Sequence, residues 1–140
     1  MKIAIAYPPI SSPKGVPLLS QNRQFQWFNR PTFIYPVVPA YAATMAKAAG
    51  HEVLWLDGIA ERWSGEQFLE KIVAERPALI LLETKTPVVR ATWRWVARLR
   101  EALPSLRIAL AGDHVTALPT ESMENCSADF QDGVLTITLP

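Results

Sequence analysis

Four short apolar runs, separated by stretches of helical pattern, constrain this chain more than any other feature of it. Lys2 to Tyr7 is rich in Ile and Ala and is stopped by Pro8-Pro9. His51 to Asp57 carries Val53, Leu54, Trp55 and Leu56 and turns at Asp57-Gly58. Ala78 to Glu83 passes through Leu79-Ile80-Leu81-Leu82 without a polar residue, and Leu106 to Ala111 ends at Gly112. Runs of this length that are apolar on both faces predict buried strands with helices on both sides of their sheet. Between them lie helical patterns. Pro39 to Ala49 is Ala-rich, has Pro in its first turn and meets Gly50 as its stop. Ser64 and Gln67 have capping-box spacing, and Phe68, Leu69, Ile72 and Val73 form the inward stripe of a helix reaching about Arg76. Val88 to Leu103 repeats Val89, Trp93, Val96, Leu99 and Leu103 at helical spacing and stops at Pro104. Pro119 opens a short helix to about Asn125, and a last strand is expected around Val134 to Leu139, after Asp132-Gly133. Such alternation predicts a doubly wound parallel sheet.

The chain has 140 residues, one domain's worth, and a domain this long buries roughly 68% of its unfolded surface without help from disulfides or a structural metal. Fourteen Lys+Arg against thirteen Asp+Glu leave a net charge of +1, so nothing global points to nucleic acid. The single cysteine, Cys126, excludes an internal disulfide and any all-cysteine metal site within the chain. The apolar run at the N-terminus is too short for a signal peptide or a membrane helix, and the expectation is a soluble cytoplasmic protein with no membrane partner.

In doubly wound sheets ligands bind outside the carboxyl ends of the strands. That directs attention to three loops. Seven of the chain's twelve prolines fall at or before Pro39, and residues 8–38 read as a long loop. The same stretch carries Phe25, Trp27, Phe28, Phe33 and Tyr35. These aromatics either pack over one sheet edge or wall a large flat ligand or a second domain. The stretch has one glycine, Gly15, and lacks both G-x-G-x-x-G and G-x-x-x-x-G-K-[ST], which argues against a dinucleotide dehydrogenase or a P-loop NTPase. The second loop offers Thr84, Lys85 and Thr86, whose hydroxyls either hydrogen-bond a ligand or cap the following helix. The third has Gly112, where a missing Cβ lets a ligand lie against the backbone or simply makes a turn with Asp113 and His114.

No catalytic constellation is present. There is no G-x-S-x-G, no H-E-x-x-H and no cysteine with a nearby base. Cys126 is expected as a small buried hydrophobe and His51 as a favourable charge at a helix end. Arg90, Arg94 and Arg98 repeat every four residues, which makes either a solvated helix face or a docking surface.

Several of these pieces together carry a resemblance. Tyr7-Pro8-Pro9, Ala48-Ala49-Gly50-His51-Glu52-Val53 with Asp57, Arg76-Pro77-Ala78, and above all Leu110-Ala111-Gly112-Asp113-His114-Val115-Thr116-Ala117-Leu118-Pro119 resemble the N-terminal cobalamin-binding domain of cobalamin-dependent radical SAM enzymes. The last segment is similar to that family's G-G-P-H-x-T-A-L-P loop, with Asp113 standing in place of its second glycine and proline. The resemblance implies a flavodoxin-like sheet of about five strands in one domain, 1–140, that holds cobalamin at Tyr7, Pro8, Pro9, Gln24, Thr84, Lys85, Thr86, Val88, Gly112, Asp113, His114 and Thr116. Thr84, Thr86, Gly112 and His114 would line the nucleotide tail and residues 24–35 would cover the ring. The D-x-H-x-x-G motif that supplies a histidine to cobalt is absent after the first strand, so the resemblance implies base-off cobalamin with no histidine ligand. An iron–sulfur cluster and S-adenosylmethionine would belong to another domain or subunit, because one cysteine cannot hold the cluster. The other classes compatible with the residues are an interaction domain of the same fold, docking through residues 25–35 or the arginine face, and a small-nucleotide binder.

Overall fold

A computed structural model of the chain describes residues 1–19, 25–30, 34–126, 129–131 and 134–137. The elements run β1 (Lys2–Tyr7), β2 (Val16–Leu18), β3 (Gln26–Phe28), α1 (Val37–Ala48), β4 (Glu52–Asp57), α2 (Gly65–Glu75), β5 (Leu79–Glu83), a 3-10 turn (Thr86–Val88), α3 (Val89–Ala102), β6 (Arg107–Ala111), α4 (Asp113–Ala117), α5 (Pro119–Cys126), β7 (Asp129–Gln131) and β8 (Val134–Ile137). The main sheet has the order β4-β1-β5-β6-β8-β7. Its first four members are parallel and arranged as in the flavodoxin-like doubly wound fold, with the order reversing at β1.

The two faces of the sheet are unequal. Ala4, Ala6, Ile80, Leu82, Ile108 and Leu110 alternate onto one face and meet Phe68 and Ile72 of α2 and Trp95, Val96 and Leu99 of α3. This is the main core. On the other face α1 packs against β4 and β1. It turns its larger apolar residues outward, with Val37, Val38, Tyr41 and Met45 each more than half exposed. A helix apolar on most sides is ordinarily buried.

Local chemistry sets the boundaries. Ser64 accepts from the Gln67 amide, and Gln67 Oε1 accepts from the Ser64 amide, so both halves of the capping box form. Gly50 at φ +83 ends α1, with the His51 amide donating to Ala46 O and the Gly50 amide to Lys47 O.

The structure corrects four expectations. Residues 8–38 are not all loop: β2 and β3 form an antiparallel pair within them. The first helix starts at Val37, because Pro36 and Pro39 both fall where a missing amide hydrogen is harmless. The expected parallel doubly wound sheet is present as β4-β1-β5-β6, and the correction concerns its edge, where two further strands bring the total among the described residues to six. The strand β8 follows β7 after two residues and so runs antiparallel to it, and it inserts between β7 and β6, pairing antiparallel with both. Gly112-Asp113-His114 is not a simple turn but the start of α4.

Two outcomes follow. Leu99, fully buried between α3 and the sheet, should cost about 2–5 kcal/mol when changed to Ala, read from denaturant unfolding. Gly112 and Gly50 both have positive φ, but a Cβ at Gly112 would overlap the Thr84 carbonyl oxygen whereas one at Gly50 meets nothing within 4 Å. Gly112→Ala should therefore lose clearly more stability than Gly50→Ala; equal losses would contradict the packing described.

Candidate functional site

Strand alternation decides what reaches the carboxyl end of the sheet. Ile5 and Leu81 are register partners on adjacent strands, and Tyr7 and Glu83 stand two residues further along on the same face. Lys85 continues that parity beyond β5. Together with Val38, Pro39 and Ala42 of α1 and with Ala111, Gly112 and Asp113 after β6, these residues line a cleft of about 360 Å³ between α1 and the sheet. The volume lies in the range of small-molecule sites, about 300–1,000 Å³. The cleft is layered. Ile5 and Leu81 form its apolar part, with the exposed Val38 and Ala42 of α1 on its open side, and its polar side chains form a rim at the carboxyl ends of the strands.

The rim is a connected network. The Tyr7 hydroxyl donates to Glu83 Oε2 at 2.7 Å. Lys85, only 3% exposed, donates from Nζ to Asp113 Oδ2 at 2.9 Å and lies 4.0 Å from Glu83 Oε1. Burial raises the Glu83 carboxyl above its ordinary range, against the opposing pull of Tyr7 and Lys85. Burial, reinforced by the Glu83 charge, likewise raises the Tyr7 phenol. Gly112 sits against this network with φ +116, its backbone packed on the Thr84 carbonyl, while the Thr84 amide donates to Ala111 O at 2.8 Å.

Of the residues expected at the site, Tyr7, Lys85, Gly112 and Asp113 meet in this cleft. Thr84 has the opposite parity: fully buried, its hydroxyl lies 2.8 Å from that of Thr92 in α3. It neither faces the cleft nor caps a helix. Thr86 Oγ1 lies 3.1 Å from His114 Nδ1. His114 is 1% exposed, edge-on to Trp93, and outside the cleft lining. Val88 is buried in the cluster of Tyr7 and Leu19. Thr116 is exposed and donates to Gly112 O. The Pro9 carbonyl accepts from Trp95 Nε1, and Pro9 belongs to a second groove, of about 450 Å³, shared with Arg94 and Arg98. Pro8 is buried beside it in sequence. Gln24 and Phe33 lie outside the described residues.

The aromatics of the first segment fold inward. Phe25 and Trp27 pack with Ile10, Trp55 and Ile59 around Tyr7, Leu19 and Val88, over the carboxyl ends of β1 and β4. Tyr35 stacks on Trp55 yet stays 69% exposed. Glu83 and the floor residues Ile5 and Leu81 were not singled out from sequence. The available signal was parity, since Glu83 shares the face of Leu79 and Leu81 and not that of Ile80 and Leu82.

The second histidine is remote. His51 Nδ1 is 3.3 Å from the N-terminal amine, at the amino end of the sheet. Among the described residues no group of His, Cys, Asp and Glu could hold a metal ion, and no helix is long and apolar enough to cross a membrane.

Because burial raises the Glu83 carboxyl, the folded chain holds a proton there that the unfolded chain releases, and this contribution to stability declines as pH rises. Glu83→Gln should therefore unfold at higher denaturant than the parent in mildly alkaline buffer, with the gap narrowing as the solution is acidified. A gap that widened on acidification would contradict the assignment.

Comparison with known proteins adds a family to this geometry. No curated protein and no solved structure is detectably similar to the chain. The family model described as the B12 binding domain matches residues 29–137, a span that includes α1, the cleft-bearing strands β5 and β6, and the Gly112 loop. Cobalamin is therefore the ligand that family and cleft together support, and the chain belongs to the B12-binding domain family.

Proposed function

We propose that this chain is a cobalamin-binding module that holds the cofactor base-off, with no histidine on the cobalt, for chemistry completed by a radical SAM domain or subunit. The observation that carries the reading is the layered cleft at the carboxyl ends of β1, β5 and β6. The residues present fit the nucleotide arm of the cofactor. Ile5, Leu81, Val38 and Ala42 give a flat heterocycle an apolar slot, and the Tyr7–Glu83 and Lys85–Asp113 pairs give its polar connection a rim. The macrocycle is too large for the cleft and would rest outside it, near the Phe25 and Trp27 cluster.

The base-off state follows from occupancy. A base held in the cleft cannot also coordinate the metal. His114 is committed to Thr86 and buried against Trp93, and His51 is at the far end of the sheet. When bound, cobalamin supplies a cobalt centre for methyl transfer or radical chemistry. The chain's own residues bind and orient it. The iron–sulfur cluster and S-adenosylmethionine of such a reaction belong to the partner.

A second reading, an interaction domain that has lost its ligand, is favoured by one observation. Tyr35, Tyr41 and Met45 are about 70% exposed on and beside α1. One experiment separates the two. The purified chain is mixed with hydroxocobalamin, desalted and examined by absorption. The proposal predicts a coloured protein, and predicts that Leu81→Trp, which fills the cleft floor, loses the colour while keeping the parent's circular dichroism. A colourless parent would put the interaction domain ahead.

A further inference from the structure

Helix α1 is turned inside out. Its partly buried residues are the small ones, Pro39, Ala40, Ala43 and Ala46, while Val37, Val38, Tyr41 and Met45 face solvent. Large apolar side chains held outward contribute nothing to stability until something covers them. No charged residue occurs from Ile34 to Ala46. Together with the exposed Tyr35, the outward side chains offer roughly 700 Å² of largely apolar surface, a patch of the size that marks an interaction site.

The relief of this surface fits a copy of itself. Val37, Tyr41 and Met45, spaced by four, form one raised ridge along the helix. The neighbouring row on one side is Ala40, Thr44 and Ala48, and on the other Val38, Ala42 and Ala46, so grooves of mostly small residues flank the ridge. The Thr44 hydroxyl donates to Ala40 O at 3.0 Å, so its row brings no unsatisfied donor to a contact. We propose that α1 is the contact of a homodimer, in which each copy lays this ridge in the other's groove about a twofold axis. Packing of such rows crosses the helices at about −50°. A twofold contact sets like residues near one another, and a ridge without charge meets its own copy without repulsion. The two surfaces offer roughly 1,400 Å² in total, within the range of about 1,200–2,000 Å² for stable specific interfaces. The contact belongs to the ligand-free chain and does not depend on what occupies the cleft.

The test is sedimentation velocity on the intact chain without ligand, from low micromolar to several hundred micromolar. The expected result is a shift from the 15.6 kDa monomer to twice that mass. Met45→Lys on the ridge and, separately, Thr44→Arg in the groove should each weaken association by about tenfold or more, because each sets like charges against one another across the axis. Both residues are exposed, so both variants should keep the parent's circular dichroism. Glu70→Lys, on the exposed side of α2, should leave association unchanged. A chain that stays monomeric throughout overturns the inference and leaves the face to a different partner, such as the radical SAM domain. A dimer that persists in either folded α1 variant overturns it too, since its contact then lies elsewhere, and so does equal weakening by Glu70→Lys.

Discussion

The carboxyl end of this sheet depends on one close approach: the backbone of Gly112 against the backbone of Thr84. No side chain fits between them, and the left-handed φ of Gly112 suits glycine. The approach extends the β5–β6 pairing one step past the strands, through the bond from the Thr84 amide to Ala111 O. With Thr84 fixed, its hydroxyl is committed to Thr92 and the alternating neighbours Glu83 and Lys85 are committed to the cleft. Lys85 can then reach Asp113 in the first turn of α4, and Glu83 can receive the Tyr7 hydroxyl from β1. Three strands and a short helix are thereby locked into one rim.

This arrangement separates two tasks. The α2–α3 face carries the stability, with Phe68, Ile72, Ile80, Leu82, Leu99, Ile108 and Leu110 fully buried in one cluster. The α1 face carries the cleft, and its helix packs mainly against β1 and β4 among the described residues. A helix with no buried residue and with Tyr41 and Met45 facing out is a weakly anchored wall, suited to a site that must admit a ligand. The second groove, with Arg94 and Arg98, lies on the opposite side of the sheet, and Arg98 is engaged there with Trp95 and Glu66.

Much of the fold was legible in the sequence because the strands are apolar on both faces and the helices carry their own stops. Ser64, Gly50, Pro77 and Pro104 mark boundaries that the structure places within a few residues of expectation. The β2–β3 pair was not legible. It is short, contains Pro17 and lies in a proline-rich segment whose local signals favour loop. The antiparallel return of β8 was missed because a strand's direction is set by its crossover and not by its own residues. Of the residues expected from sequence, Tyr7, Lys85, Gly112 and Asp113 line the cleft, whereas Thr84, Thr86 and His114 stand elsewhere. Residue type suggested the hydroxyls; strand parity, which decides their direction, pointed to Glu83 and Lys85.

The most direct test of the account is amide hydrogen–deuterium exchange on the chain with and without hydroxocobalamin. The account predicts that added cobalamin slows exchange in Glu83 to Thr86, in Gly112 to His114 and along α1, with α2 unchanged. Slowed exchange confined to α2 and the Arg94–Arg98 groove, with the Gly112 loop unaffected, would contradict it.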